Sequence, residues 1–232
     1  MDNLVETVDK PYKKQMKKVI LGIFAKQPVP GEVKTRLCPP FHPDQAADLY
    51  FQLLTETIER MQQQEACDLA ICFVGEREWF KARFPGIALW EQRGEDLGER
   101  MSGAMTSFFE QGYSQVILIG SDTPDLPLER IDQAITILSS ADLVLGPAAD
   151  GGYYLIGESF HSPELFKDIP WSSDRVLAGT LKKAEEQNIS TQLLGMWEDL
   201  DDITALQRFL KRTKDGRTAR YLKKHLSQYF IG

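Results

Sequence analysis

The segment VILIGSDTPDLP constrains this chain more than any other. Val116 to Ile119 form a continuous β-branched and aliphatic run, closed by Gly120 and soon after by Pro124. A short apolar run bounded in this way predicts a fully buried central strand. Asp122 and Asp125 follow at the strand end, where open α/β sheets bind ligands. A lone carboxylate there would cost several kcal/mol or take up a proton. Something positive must therefore meet Asp122.

The rest of the chain repeats the alternation of apolar runs with helix-length segments. Strands are predicted at 19–24, 69–74, 87–90, 116–119, 143–145, 153–157 and 191–194, and helices at 44–63, 79–84, 97–111, 128–138 and 174–187, with one or two more at the end. This order implies an α/β fold in which a mainly parallel sheet is flanked by helices on both faces. No repeat and no linker rich in glycine, serine or proline divides the chain. We expect a polar N-terminal extension over residues 1–17 and one domain over 18–232.

Composition narrows the function. A content of 42% hydrophobic residues in 232 is ample for a packed core. No apolar segment approaches the roughly 20 residues that span a bilayer, and the first residues lack the apolar heart of a signal peptide, so a soluble, cytoplasmic protein without a transmembrane segment is expected. The net charge of −7 argues against nucleic acid as a partner. Cations do gather from Lys211 to Lys224, read as a solvated helical face with lipid or partner contact as the alternative. Cys38, Cys67 and Cys72 have neither disulfide nor zinc spacing. His42, His161 and His225 fall in unrelated contexts and are read as structural or surface residues.

Three constellations could carry chemistry. In FAKQPVPGEVKTRL, Lys26, Lys34 and Arg36 surround a turn in which Gly31 permits close backbone approach, a set suited to a di- or triphosphate. It matches neither GxxxxGK[ST] nor GxGxxG, and an ordinary basic loop is the alternative. Asp122 and Asp125 after the strand, with Glu198, Asp199, Asp201 and Asp202 in MWEDLDDI, form the second set. Carboxylates from separate strand ends repel one another unless a cation intervenes, and such hard oxygen ligands favour Mg2+ or Mn2+. A helix N-terminus is the alternative for MWEDLDDI, and Asp125 could equally shape the turn. Asp122 and Asp201 are the preferred metal pair, whereas Asp202 reads as a helix cap. The third is GPAADGGYYLIG, either a hairpin turn or a glycine-opened floor on which Asp150, Gly151, Gly152, Tyr153 and Tyr154 hold a substrate, a tyrosine hydroxyl included. GEDLGERM, with Gly94, Leu97 and Gly98, could start a helix beneath a ligand. PWSSDRV, with Trp171 and Ser172, has the composition of a binding loop, although Ser173 or Asp174 could simply cap the next helix.

Taken in order, these motifs resemble a bacterial glycosyltransferase-like family long known as a domain of unknown function, some of whose members are linked to arsenosugar biosynthesis. The resemblance covers about residues 19–210. It implies a GT-A (nucleotide-diphospho-sugar transferase-like) fold, related to the 2-phospholactate and molybdenum-cofactor guanylyltransferases. It further implies that Lys26, Lys34 and Arg36 hold a nucleoside di- or triphosphate, that Asp122 binds a divalent metal, and that Asp150 to Tyr154 face an acceptor. Asp199 and Asp201 match the family's late acidic motif, which often continues Thr-Pro-x-Asp-Leu where this chain has Asp202 to Leu206.

The sequence therefore predicts a transferase using Mg2+ or Mn2+ and a nucleotide-activated donor. Catalytic roles fall to Asp122, Asp150 and Asp201, and phosphate or nucleotide contacts to Lys26, Gly31, Lys34, Arg36, Gly94, Leu97 and Gly98. A small-molecule acceptor would lie on Gly151, Gly152, Tyr153, Tyr154, Trp171 and Ser172. Glycosyl transfer from a nucleotide sugar leads. Nucleotidyl transfer from a nucleoside triphosphate to a phosphorylated acceptor is the alternative, and a non-catalytic nucleotide-sugar-binding module is the reading from another class. The oligomeric state is not encoded in any recognisable pattern.

Overall fold

The computed structural model describes residues 18–230, so the expected extension over 1–17 lies outside the described residues. Seven strands form a single sheet: β1 (Val19–Lys26), β2 (Asp68–Val74), β3 (Ala88–Glu91), β4 (Gln115–Gly120), β5 (Leu143–Pro147), β6 (Tyr153–Glu158) and β7 (Thr191–Leu193). Their order is β3-β2-β1-β4-β6-β5-β7. β1 pairs in parallel with both β2 and β4, which is why its run from Val19 to Ile23 is buried on both faces.

β6 departs from the expected direction. It runs antiparallel between β4 and β5, while β7 returns parallel to β5. The β5–β6 connection spans only residues 148–152, far short of the dozen or more residues that a parallel crossover needs. This reversal has a functional consequence. Pairing of Ile119 with Leu155 brings the start of β6 to the end of β4, and so carries Asp150 and Tyr153 to the sheet edge where Asp122 lies.

Period-two alternation along β1 divides the core into layers. Leu21, Ile23 and Ala25 face α1 (Pro43–Met61), α2 (Arg77–Arg83) and α4 (Leu128–Ile137), whose Tyr50, Ile58, Phe80 and Ile131 join the same cluster. Ile20 and Phe24 face α3 (Leu97–Glu110) and α5 (Val176–Glu186), together with Met101, Phe108 and Ala184. Gly22 lies on this second face because a Cβ there would come within 2.7 Å of Leu118 Cδ2 and 3.0 Å of Cys72 Sγ. A further layer packs α6 (Ile203–Arg212) and α7 (Arg217–His225) on the outer side of α1 through Leu49, Leu53, Phe209 and Leu222.

The basic C-terminal segment forms α6 and α7, where Arg212 pairs with Asp125 and Glu198, Arg217 with Glu59, and Arg220 with Asp215. The histidines sit in structural settings. His161 lies between Glu158 Oε2, 2.7 Å from Nδ1, and Ser102 Oγ, 3.1 Å from Nε2, and its ring stacks on Phe109. His42 precedes α1, and its backbone N–H donates to Gln45 Oε1. His225 stacks on Tyr221. Among the described residues no helix is long and apolar enough to cross a membrane.

Candidate functional site

The carboxyl ends of β1 and β4 and the start of β6 open onto one cleft with two lobes. The outer lobe, about 770 Å³, is lined by the end of β1, the loop carrying Lys34 and Arg36, the first turn of α3 and Asp122. The inner lobe, about 400 Å³, is lined by Asp150, Gly152, Tyr153, the 171–174 loop and Asp199. Phe24, Arg36, Leu97, Trp171, Ser172 and Asp201 border both.

Lys34 is the electrostatic centre. Its ammonium lies 2.7 Å from Asp201 Oδ1, to which it donates a hydrogen bond, and 2.9 Å from Asp122 Oδ1; its side chain is only 4% exposed. The positive partner that Asp122 demands is thus Lys34, reached through a left-handed backbone at φ 49°. Burial opposes the charge on Lys34, but Asp122 and Asp201 together outweigh it and raise its pKa well above the ordinary value. Lys34 in turn lowers the pKa of Asp201, whereas burial wins at Asp122 and raises its pKa against the attraction of Lys34. Burial, reinforced by Asp122 and Asp201, pushes the Asp199 carboxyl up to about 7. Arg36 Nη1 approaches Asp201 Oδ2 at 3.6 Å from an exposed position.

Backbone ties explain how distant segments converge here. The Leu200 N–H donates to the Asp122 carbonyl and the Trp197 N–H to that of Pro147, docking the late acidic loop onto the ends of β4 and β5. That loop divides by role. Asp199 and Asp201 enter the cleft, Asp202 Oδ1 caps α6 by accepting from the Ala205 N–H, and Glu198 binds Arg208 and Arg212. Asp125 accepts from Arg212 Nε at 2.6 Å, which makes it a tie to α6 and not part of the cleft.

Several glycines do other work than expected. Gly31 adopts φ 83° with nothing within 4 Å of a Cβ position, so its backbone conformation, and no packed neighbour, calls for glycine. Gly94, at φ 136°, shapes the entry to α3, where its carbonyl accepts from Arg100 Nε. Gly98 makes room for the Trp171 indole, since a Cβ there would lie 2.4 Å from Nε1. Gly151 packs against the Asp174 backbone, with its Cβ position 2.1 Å from that carbonyl oxygen, and accepts from the Leu177 N–H at the start of α5. The hairpin and the floor are therefore one object: Asp150 Oδ1 accepts from the Gly152 N–H within the turn, and Gly152 and Tyr153 line the inner lobe. Tyr154 also lines it, but its hydroxyl donates to the Gly195 carbonyl at 3.1 Å and is spent. Ser173 Oγ donates to the Pro170 carbonyl and accepts from the Arg175 N–H, holding the 170–175 loop rather than capping α5, while Ser172 takes a left-handed φ of 63°.

Some contributors escaped the sequence reading. The Tyr50 hydroxyl accepts from the Lys26 N–H and shares a hydrogen bond with Ser121 Oγ; Thr57 Oγ1 donates to the Ser121 carbonyl, and Arg60 Nε to that of Pro124. Polar residues on an otherwise apolar face of α1 were the available signal. Arg100 and Gln92 also line the outer lobe.

Among the described residues no three His, Cys, Asp or Glu side chains stand close enough to grip a metal unaided, so Asp122, Asp199 and Asp201 do not form a ready-made cage. The Lys34 ammonium stands between two of them instead. Asp122 Oδ1 is buried and has the Lys34 ammonium at 2.9 Å as its ion-pair partner.

This architecture is the nucleotide-diphospho-sugar transferase fold. The chain belongs to the bacterial family described as "Uncharacterized protein conserved in bacteria (DUF2064)", which it matches over residues 57–173. A crystal structure from Desulfovibrio desulfuricans G20, provisionally described as a nucleotide-diphospho-sugar transferase, is 36% identical with a TM-score of 0.85, covering 93% of this chain and 98% of that one. The crystal structure of 4-diphosphocytidyl-2C-methyl-D-erythritol synthase is 14% identical with a TM-score of 0.54, over 85% of this chain and 99% of its own. Rv0371c from Mycobacterium tuberculosis H37Rv, crystallised with manganese, is 17% identical with a TM-score of 0.50, over 84% and 99%. These last two likenesses concern the fold alone. No curated protein matches the sequence.

Proposed function

We propose that this protein is a divalent-metal-dependent transferase that draws on a nucleotide-activated donor and transfers a glycosyl group from a nucleotide sugar to a small acceptor. The observation that carries the reading is the Asp122–Lys34–Asp201 bridge at the junction of the two lobes. Lys26, Lys34, Arg36 and Arg100 line the outer lobe and suit a diphosphate, whose charge grows as it leaves. Asp122 and Asp201 would fit a Mg2+ or Mn2+ ion that takes one or two carboxylates and completes its shell with phosphate oxygens and water; two hard oxygen donors brought within reach of one cation support that fit. Such an ion would neutralise charge on the departing diphosphate. Asp150 and the 171–172 loop orient the acceptor on the inner side, and the lobe's apolar wall limits water.

Titration of a Mn2+–nucleoside diphosphate into wild type and Asp122→Ala tests the site. Loss of binding in the variant is expected, and equal affinity would overturn the assignment. The fold shared with 4-diphosphocytidyl-2C-methyl-D-erythritol synthase keeps nucleotidyl transfer as the second reading. Product analysis separates the two, because free nucleoside diphosphate from a nucleotide sugar marks glycosyl transfer and pyrophosphate from a triphosphate marks nucleotidyl transfer.

A further inference from the structure

We propose that the inner lobe takes an acceptor with an apolar body and an uncharged or cationic head, and rejects phosphorylated acceptors; this deepens, and rests on, the transferase reading above. Its volume of about 400 Å³ suits one small molecule. Phe24, Leu97, Met101, Tyr153, Trp171 and Val176 form an apolar side of the lobe, beside a polar side that carries its carboxylates. That apolar side suits the body of an acceptor, whose polar head then meets the opposite, carboxylate-bearing side.

The charged groups set the sign of the head. Asp150, Asp174, Asp199 and Asp201 line the lobe against one cation, Arg36. Arg36 already faces Asp201, which Lys34 also binds. Asp150 and Asp174 have no ion-pair partner among the described residues. A phosphate monoester, with a charge of about −1.5 to −2 near neutral pH, would meet repulsion without a compensating cation. An alcohol meets hydrogen-bond acceptors there, and an ammonium meets attraction. The same placement disfavours nucleotidyl transfer, whose acceptor is a phosphate.

The test compares three probes that share one body: 2-phenylethanol, 2-phenylethylamine and 2-phenylethyl phosphate. Each is titrated into the full chain without nucleotide and followed by ligand-observed NMR. The amine and alcohol should bind at least about tenfold more tightly than the phosphate. The double variant Asp150→Asn/Asp174→Asn should narrow that gap, and Leu97→Ser, at a half-exposed position, should weaken all three alike. Phosphate binding as tight as alcohol binding, or no binding by any probe, overturns the proposal. Mn2+–nucleotide titration of the same preparation keeps the two readings apart. Loss of nucleotide binding with the probe order intact removes the transferase reading alone, whereas nucleotide binding with a preferred phosphate probe removes the acceptor inference alone.

Discussion

Lys34 concentrates the site's electrostatics in one side chain. A non-glycine residue in the left-handed region costs about 1 kcal/mol, and the return here is an ammonium set between two carboxylates that would otherwise repel each other. Lys34→Met should therefore destabilise the fold by about 2 kcal/mol, less than a fully buried pair would lose because Asp122 and Asp201 are each about a third exposed. Urea unfolding at neutral pH measures this, and an unchanged midpoint would show that the bridge contributes nothing. The need of Asp122 for a cation was legible in the sequence. Which of Lys26, Lys34 and Arg36 would answer it was not, because the choice depends on the left-handed turn at Lys34 and on the docking of a loop 167 residues away. Tyr50 and Thr57 were missed for a related reason: a helix's apolar period says which face is buried, not which of its polar groups will meet a strand end.

At the scale of elements, the β5–β6 hairpin and the 170–175 loop act as one wall, joined where Gly151 meets Asp174. Gly151→Ala adds both a φ of 89° that alanine resists and a backbone overlap that no rotamer relieves. It should cost at least about 2 kcal/mol and speed amide exchange in both segments, while exchange in β1 and β2 follows global unfolding. The glycine pair marked a turn in the sequence, but the partner of that turn was invisible, since the contact joins segments with no shared period. The ties of α6 follow another rule. Burial opposes ionisation of Glu198, yet Arg208 and Arg212 outweigh it and lower its pKa below the ordinary value. A carboxylate depressed in the folded state stabilises fully above its unfolded pKa, near 4.5, and loses that contribution as pH falls through the folded value. Glu198→Gln should then lower stability by about 1 kcal/mol at pH 7 and converge on wild type as the pH is taken below the folded value in urea titrations. A difference that persists undiminished at the lower pH would show that charge is not the cause.

At the scale of the whole molecule, attraction of an anionic nucleotide needs explaining. The chain carries a net charge of −7, and the outer lobe sets four cations against five carboxylates. Lys34, the most buried cation, is already committed to Asp122 and Asp201. The protein by itself therefore offers a nucleoside diphosphate little net attraction, and shape alone would have to hold it. A divalent ion, held as proposed by Asp122 and Asp201, would change the balance by presenting positive charge to the phosphates. Nucleotide affinity should accordingly fall by at least about tenfold when Mn2+ is replaced by EDTA, and the affinity remaining in EDTA should weaken little as salt is raised. Isothermal titration at two salt concentrations, with and without Mn2+, measures both effects. Equal affinity in Mn2+ and EDTA would mean that Lys26, Arg36 and Arg100 suffice for the diphosphate, that the Asp122–Lys34–Asp201 bridge stays closed during binding, and that its carboxylates serve the fold and not the ligand.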